Sequence, residues 1–126
     1  MHPPHIILVE DNLLLQEALA EHLREQGFVV HALVDGSGVD ALLQTQTVDL
    51  LILDLNLPQE NGFSIATRVR SAYPYMGILI LSARLPAYGG ASWAPTVDLL
   101  MAKPVVPDAL LNAAMGLCAL SQSRRP

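Results

Sequence analysis

The 126 residues, 52% apolar and 15% charged, suit one compact domain with a single core and exclude the polar, highly charged profile of a disordered chain. A formal charge of -5 with only seven Lys and Arg argues against a nucleic-acid-binding surface, which needs clustered cations; Arg124-Arg125 is the one adjacent basic pair. The lone Cys118 excludes an intramolecular disulfide or a cysteine-based zinc site, and the chain shows neither a signal-like start nor an apolar run of bilayer length, so a reducing, cytoplasmic setting is expected.

Short Leu-rich or β-branched runs alternate with stretches whose apolar residues fall three or four apart, the respective marks of buried strands and amphipathic helices. Ile6 to Val9 is predicted as the first strand. Asp11 and Asn12 can cap a helix that carries Leu15, Ala18, Leu19 and Leu23 on its inner face and stops at Gly27. Phe28 to Val34 is predicted as the second strand and Val39 to Gln46 as a short helix. Asp49 to Asp54 is the third strand, apolar at consecutive positions as a strand covered on both faces should be. After the turn at Leu57-Pro58, Asn61-Gly62 opens a helix with Ile65, Val69 and Ala72 facing inward, and Gly77 to Leu81 forms the fourth strand. Between Ser82 and Pro95 the residues Pro86, Gly89, Gly90 and Pro95 oppose a regular helix. Val97 to Ala102 is the fifth strand and Pro107 to Leu120 the final helix.

This alternation implies an α/β fold, a doubly wound five-stranded parallel sheet with a short or irregular fourth helix between Ser82 and Pro95. In such sheets, ligands bind beyond the carboxyl ends of the strands. There the sequence places Glu10-Asp11, Asp54, Ser82 and Lys103-Pro104. Three carboxylates brought together repel one another, which a divalent cation relieves; Mg²⁺ suits an all-oxygen site that admits a phosphate oxygen. Phosphoryl transfer needs the same parts: an oxygen nucleophile, a metal bridging charge, and donors for the equatorial oxygens. Singly, each residue also has a plain structural reading: Glu10-Asp11 as a helix start, Asp54 as a turn residue, Ser82 as a loop or cap hydroxyl, Lys103 as a solvated charge. Their joint appearance at four strand ends favours a site. His2, His5, His22 and His31 lack metal-ligand spacing and read as surface or terminal residues; Cys118 reads as helix core, and Trp93 as a loop anchor.

In order and spacing, "IILVEDN", "DLLILDLNLPQENGF", "ILILSAR" and "MAKP" resemble the receiver domain of two-component response regulators over nearly the whole chain. The resemblance implies a CheY-like fold of strand order 2-1-3-4-5, with residues 1–121 as the receiver and 122–126 ("QSRRP") as a tail or the start of a linker. It implies that Asp54 accepts a phosphoryl group from a histidine kinase or histidine phosphotransfer protein and so switches an output domain or partner. Asp11, Asp54 and the Asn56 carbonyl would ligate Mg²⁺, with Glu10 acting through a water. Ser82 and Lys103 would contact phosphoryl oxygens, the Lys103-Pro104 bond being typically cis in this family. Such a domain is a phosphoacceptor that assists its own phosphorylation and dephosphorylation, not an enzyme in the usual sense. "RSAYPYMGILILSAR" resembles receivers attached to winged-helix transcription regulators.

Two switch positions depart from the family pattern. Ser82 stands where threonine is usual, keeping the hydroxyl, and Leu100 stands at the aromatic switch position, with no ring hydroxyl to alternate between buried and exposed places. With the interrupted fourth helix, this predicts retained phosphorylation chemistry with an unusual signalling face, without the symmetric dimer common in DNA-binding relatives; a homodimer is the contrary outcome. Two other readings compete: a pseudo-receiver that serves as a phosphorylation-independent interaction module, and an aspartyl-phosphate phosphohydrolase. The second needs a general-acid Asp two residues after the nucleophile, where this chain has Asn56.

Overall fold

A computed structural model describes residues 2–83 and 96–126. Its elements are β1 (His5–Val9), α1 (Leu13–Glu25), β2 (Val29–Leu33), α2 (Val39–Thr45), β3 (Leu50–Asp54), α3 (Gly62–Ala72), β4 (Gly77–Ser82), β5 (Leu99–Ala102) and the C-terminal helix α4 (Pro107–Arg124). All strand pairs are parallel, in the order β2-β1-β3-β4-β5. The expected doubly wound sheet is therefore present. The segment expected to hold the irregular fourth helix, including Trp93, lies outside the described residues.

The apolar strands divide their side chains between two faces with period two. Ile6, Leu8, Leu50, Ile52, Leu79 and Leu81 pack with Leu19, Leu23, Leu110, Ala114 and Cys118 from α1 and the C-terminal helix. Ile7, Val9, Leu51, Leu53, Ile78 and Ile80 pack with Val39, Leu43, Ile65 and Val69 from α2 and α3. Every residue of β3 and β4 is buried, which is why both strands read as continuous apolar runs. Cys118 is buried in the first cluster, and its burial pushes the thiol pKa up to about 12, as suits a core residue.

Local chemistry sets the helix ends. The Asn12 side chain accepts a hydrogen bond from the Leu15 N–H, and Asn61 does the same for Ser64. Gly27, at φ 96°, takes the left-handed conformation after α1. Two inward positions differ from expectation. Ala18 and Ala72 are exposed, and Gln16, Ala20 and Ala66 are buried instead. On α1 the buried stripe runs Gln16, Leu19, Ala20, Leu23, so a polar residue occupies a place that apolar counting passes over. On α3 the helix ends at Ala72, and half-buried Tyr73 packs against the core.

The C-terminal helix continues four residues past the expected Leu120, and its end is anchored by ion pairs. Arg124 reaches Asp98 at 2.8 Å, while Arg125 lies 3.1 Å from Asp49 and stacks over Tyr75. Asp98 also takes Arg70 at 2.9 Å and the Ile78 N–H at 2.9 Å, so one carboxylate joins α3, β4 and the last helical turn. Three of the four histidines make polar contacts: His5 Nδ1 and His31 Nε2 are 3.2 Å apart, and His22 lies 3.1 Å from Asp108.

Burial opposes the charge on Asp98, but hydrogen bonds from Arg124 and Ile78 and the nearby guanidinium charges outweigh it, holding its pKa below the ordinary 3.8. A depressed carboxylate stabilises the fold above its unfolded pKa and ceases to do so as pH falls through the lower native value. Asp98→Ala should therefore destabilise the domain by about 2–3 kcal/mol at neutral pH, as removal of one partner from a mostly buried ion pair does. In urea titrations, the gap from wild type should close as pH is lowered below about 4.

Candidate functional site

Register brings the acidic residues together. Leu8 lies beside Ile52 and Val9 beside Leu53, so the next positions, Glu10 and Asp54, emerge side by side at the carboxyl edge of the sheet. Both extend the row of alternate residues that begins Ile6-Leu8 and Leu50-Ile52, on the face covered by α1 and the C-terminal helix. Lys103 extends the same row from Met101 on β5. The ammonium of Lys103 donates to Glu10 Oε1 at 2.8 Å and to Asp54 Oδ2 at 3.0 Å. Three residues far apart in the chain thus share one proton-rich contact.

The remaining acceptor atoms are also engaged. Glu10 Oε2 accepts the Asn12 N–H at 3.1 Å, and Asp54 Oδ1 accepts the Asn56 N–H at 3.1 Å. Glu10 is fully buried and Asp54 only 5% exposed, whereas Asp11 is open to solvent. Burial raises the Glu10 pKa; the hydrogen bond from Lys103 partly offsets this and the charge of Asp54 adds to it. Burial also works against the Lys103 ammonium, but its hydrogen bonds to Glu10 and Asp54 prevail, and its pKa is raised.

Carboxylate oxygens of Glu10, Asp11 and Asp54 lie within 4.8 Å of one another. A hard divalent ion fits this donor set: all its atoms are oxygens, one carboxylate faces solvent, and the single ammonium leaves the three acids with excess negative charge. Mg²⁺ is thus chemically suited to the residues present. Asn56 meets the cluster through its N–H.

Ser82, 1% exposed, ends β4, and its carbonyl accepts the Lys103 N–H at 2.8 Å, so the hydroxyl-bearing and lysine-bearing strand ends are tied directly. By parity Ser82 follows Ile78 and Ile80 on the other face of the sheet. Leu100 shares that face, paired in register with Ile80, and packs half-buried against the α2 and α3 cluster away from the carboxylates. The peptide Lys103-Pro104 is cis, as the resemblance implied.

Two supporting residues escaped the sequence reading. Gly62 begins α3 so close to β3 that a Cβ there would strike the carbonyl oxygen of Asp54 and come within 3.0 Å of Leu55 Cα. The Asn-Gly pair was legible as a helix start, but not as a close approach. Gln16 donates its side-chain amide to the carbonyls of Glu10 and Leu33. A polar residue amid an apolar helical stripe was its one visible signal.

Residues 6–115 match the response regulator receiver domain family. The chain is 37% identical over 82 residues to the TorCAD operon transcriptional regulatory protein TorR of Escherichia coli K12, covering 65% of this chain and 35% of that protein. It is 35% identical over 95 residues to the virulence transcriptional regulatory protein PhoP of Salmonella typhimurium 14028s, covering 75% and 40% respectively. The matched segment thus spans about two-fifths or less of these relatives. Among solved structures, the non-phosphorylated HemR receiver domain of Leptospira biflexa superposes with TM-score 0.85 at 28% identity, covering 98% of each chain. A CheY-like receiver from Methanospirillum hungatei gives 0.88 at 18% identity over 98% of this chain and 99% of its own, a likeness of fold.

Since backbone atoms of Asp54 and Leu55 cannot yield as a side-chain tip can, Gly62→Ala should lower stability by about 1–3 kcal/mol. Chemical denaturation measures the loss, and a cost below a few tenths of a kcal/mol would show that the loop gives way freely.

Proposed function

This chain belongs to the response regulator receiver domain family, and from that membership we propose that Asp54 is its phosphoryl acceptor. The observation that carries the proposal is the buried Asp54 carboxylate at the end of β3, oriented by Lys103 and by the Asn56 N–H beside two further acids. A carboxylate oxygen of Asp54 attacks the phosphorus of a phosphohistidine. The phosphorus–nitrogen bond breaks, the imidazole leaves with the electron pair and takes a proton from solvent, and Asp54 becomes an acyl phosphate. No general base is required, because the nucleophile is already deprotonated.

Mg²⁺ is the proposed cofactor, held by Asp11, Asp54 and the Asn56 carbonyl, with Glu10 acting through a water. When bound, the ion supplies neutralisation of charge on the transferring phosphoryl oxygens. Lys103 exchanges part of its contact with the carboxylates for a phosphoryl oxygen, and the Ser82 hydroxyl donates to another. Ser82 is thereby the first switch residue and Leu100 the second, reached through β4 and β5.

The donor is a histidine kinase or histidine phosphotransfer protein, and the exposed apolar side chains of Leu13, Leu14 and Val106, beside the site in sequence, offer it a surface. The acceptor is consumed and regenerated on the chain itself, so the domain assists its own phosphorylation and dephosphorylation without turning over a separate substrate. Its product is a signal to an output domain or partner; transcription control is the output suggested by similarity to the transcriptional regulatory proteins TorR and PhoP. We take residues 1–121 as the receiver unit and 122–126 as a tail or linker start, beginning on the last helical turn. Among the described residues no helix is long and apolar enough to cross a membrane. Independently of that, the similarity to the transcriptional regulatory protein TorR suggests a cytoplasmic domain.

Incubation with acetyl phosphate and Mg²⁺ should add one phosphoryl mass to the wild-type chain and none to Asp54→Ala, read by intact-mass spectrometry. A wild type that gains neither phosphoryl mass nor an Mg²⁺-dependent beryllofluoride adduct would leave a pseudo-receiver, a binding module without this chemistry.

A further inference from the structure

We infer that Gln16 is a positioning residue for the acidic turn, setting its affinity for a divalent cation; the inference rests on the metal-site reading above. Gln16 is buried on the inner face of α1, where the other buried residues, Leu19, Ala20 and Leu23, are apolar. A buried amide is retained there only if its hydrogen-bonding groups find partners. Its Nε2 has two hydrogens, and both are used: the Leu33 carbonyl accepts at 2.9 Å and the Glu10 carbonyl at 3.2 Å.

These two carbonyls stand at the carboxyl ends of β2 and β1, just where the sheet stops. Leu33 O also accepts the Glu10 N–H at 3.0 Å, so both of its lone pairs are occupied and it anchors both groups. The backbone N–H of Gln16 donates to Asn12 O at 2.9 Å, and the Asn12 N–H donates to Glu10 Oε2 at 3.1 Å. The turn Glu10-Asp11-Asn12 is therefore held at the carbonyl of its first residue, the carboxylate of its first residue and the carbonyl of its last.

The consequence falls on Asp11. Glu10 O belongs to the peptide plane that leads into Asp11, so holding that oxygen fixes the plane from which the exposed Asp11 side chain departs. Lys103 restrains Glu10 and Asp54 from the other side, but the contacts described for it do not include Asp11. Without Gln16 the Glu10–Asp11 peptide could rotate at little cost, and a cation would have to order it on binding. Partners that orient a metal's ligands from behind typically change affinity by about 10-fold or more when removed.

The discriminating measurement is Mg²⁺ titration by calorimetry on wild type, Gln16→Met and Leu23→Ala, with phosphoryl mass gain followed as Mg²⁺ is raised. Gln16→Met keeps the length and loses both donors; Gln16→Leu replaces it if Gln16→Met does not fold. Leu23→Ala opens the same buried face of α1 two turns on and controls for lost stability alone. Gln16→Met should bind Mg²⁺ about 10-fold more weakly while reaching wild-type phosphorylation once the ion saturates. Leu23→Ala should lose stability and keep its affinity. Wild-type affinity in the Gln16 variant, or an equal loss in Leu23→Ala, sinks the inference and leaves the metal site standing. A wild-type chain that takes up no Mg²⁺ removes both.

Discussion

The Lys103 ammonium shared between Glu10 and Asp54 is the contact around which the carboxyl edge of this sheet is organised. Two carboxylates with almost no solvent exposure, side by side, repel each other strongly in a poorly polarisable interior. A cation on the adjoining row of side chains makes their joint burial tolerable. Burial is the main cause that raises the Glu10 pKa, the hydrogen bond from Lys103 lowers it, and the charge of Asp54 adds to the rise. Among the described residues, one ammonium faces three carboxylates, with exposed Asp11 as the open side of the cluster.

Sheet geometry turns that local contact into a site. With period-two alternation, Glu10, Asp54 and Lys103 must share one face once β1, β3 and β5 hold their observed registers. A slip of one residue in β3 would send Asp54 to the opposite face and bring Leu53 to the cluster. The all-buried sequences of β3 and β4 make such a slip costly on both sides, because each face has its own helices to fill. The unremarkable apolar runs therefore specify the chemistry as firmly as the charged residues do.

Much of this was legible in the sequence because it depends on local periodicity and on residue type at strand ends. Asn12, Gly27 and Asn61 announced helix limits through their own chemistry, and Asp54 followed a run too apolar to be anything but buried. What escaped depends on contacts between distant segments. Gln16 looked misplaced on an apolar stripe because its partners, Glu10 O and Leu33 O, belong to backbone that no side-chain pattern reports. The expected end at Leu120 missed four residues of helix because Arg124 and Arg125 are held by Asp98 and Asp49, residues 26 and 76 positions away in the numbering. The role of Lys103 toward Glu10 likewise lay outside a reading that paired it with a phosphoryl oxygen alone.

The same parity that gathers the acids separates them from Leu100. By parity Ser82 and Leu100 lie on the α2 and α3 face, Leu100 being paired with Ile80, two residues before Ser82, while Asp54 belongs to the other face. If Ser82 and Leu100 act as the proposed switch residues, the β4–β5 pair is the direct link between them. Leu100 is an aliphatic side chain packed in an apolar cluster. Such a side chain has no hydroxyl whose hydrogen bond could be exchanged, so its two arrangements can differ only in volume and contact. Cores at crystal-like packing density shift between discrete packings and do not deform smoothly. On the proposed switch role, the response at Leu100 would be a repacking against its β4 neighbours, with an energy gap drawn from apolar contact and not from burial of a phenol.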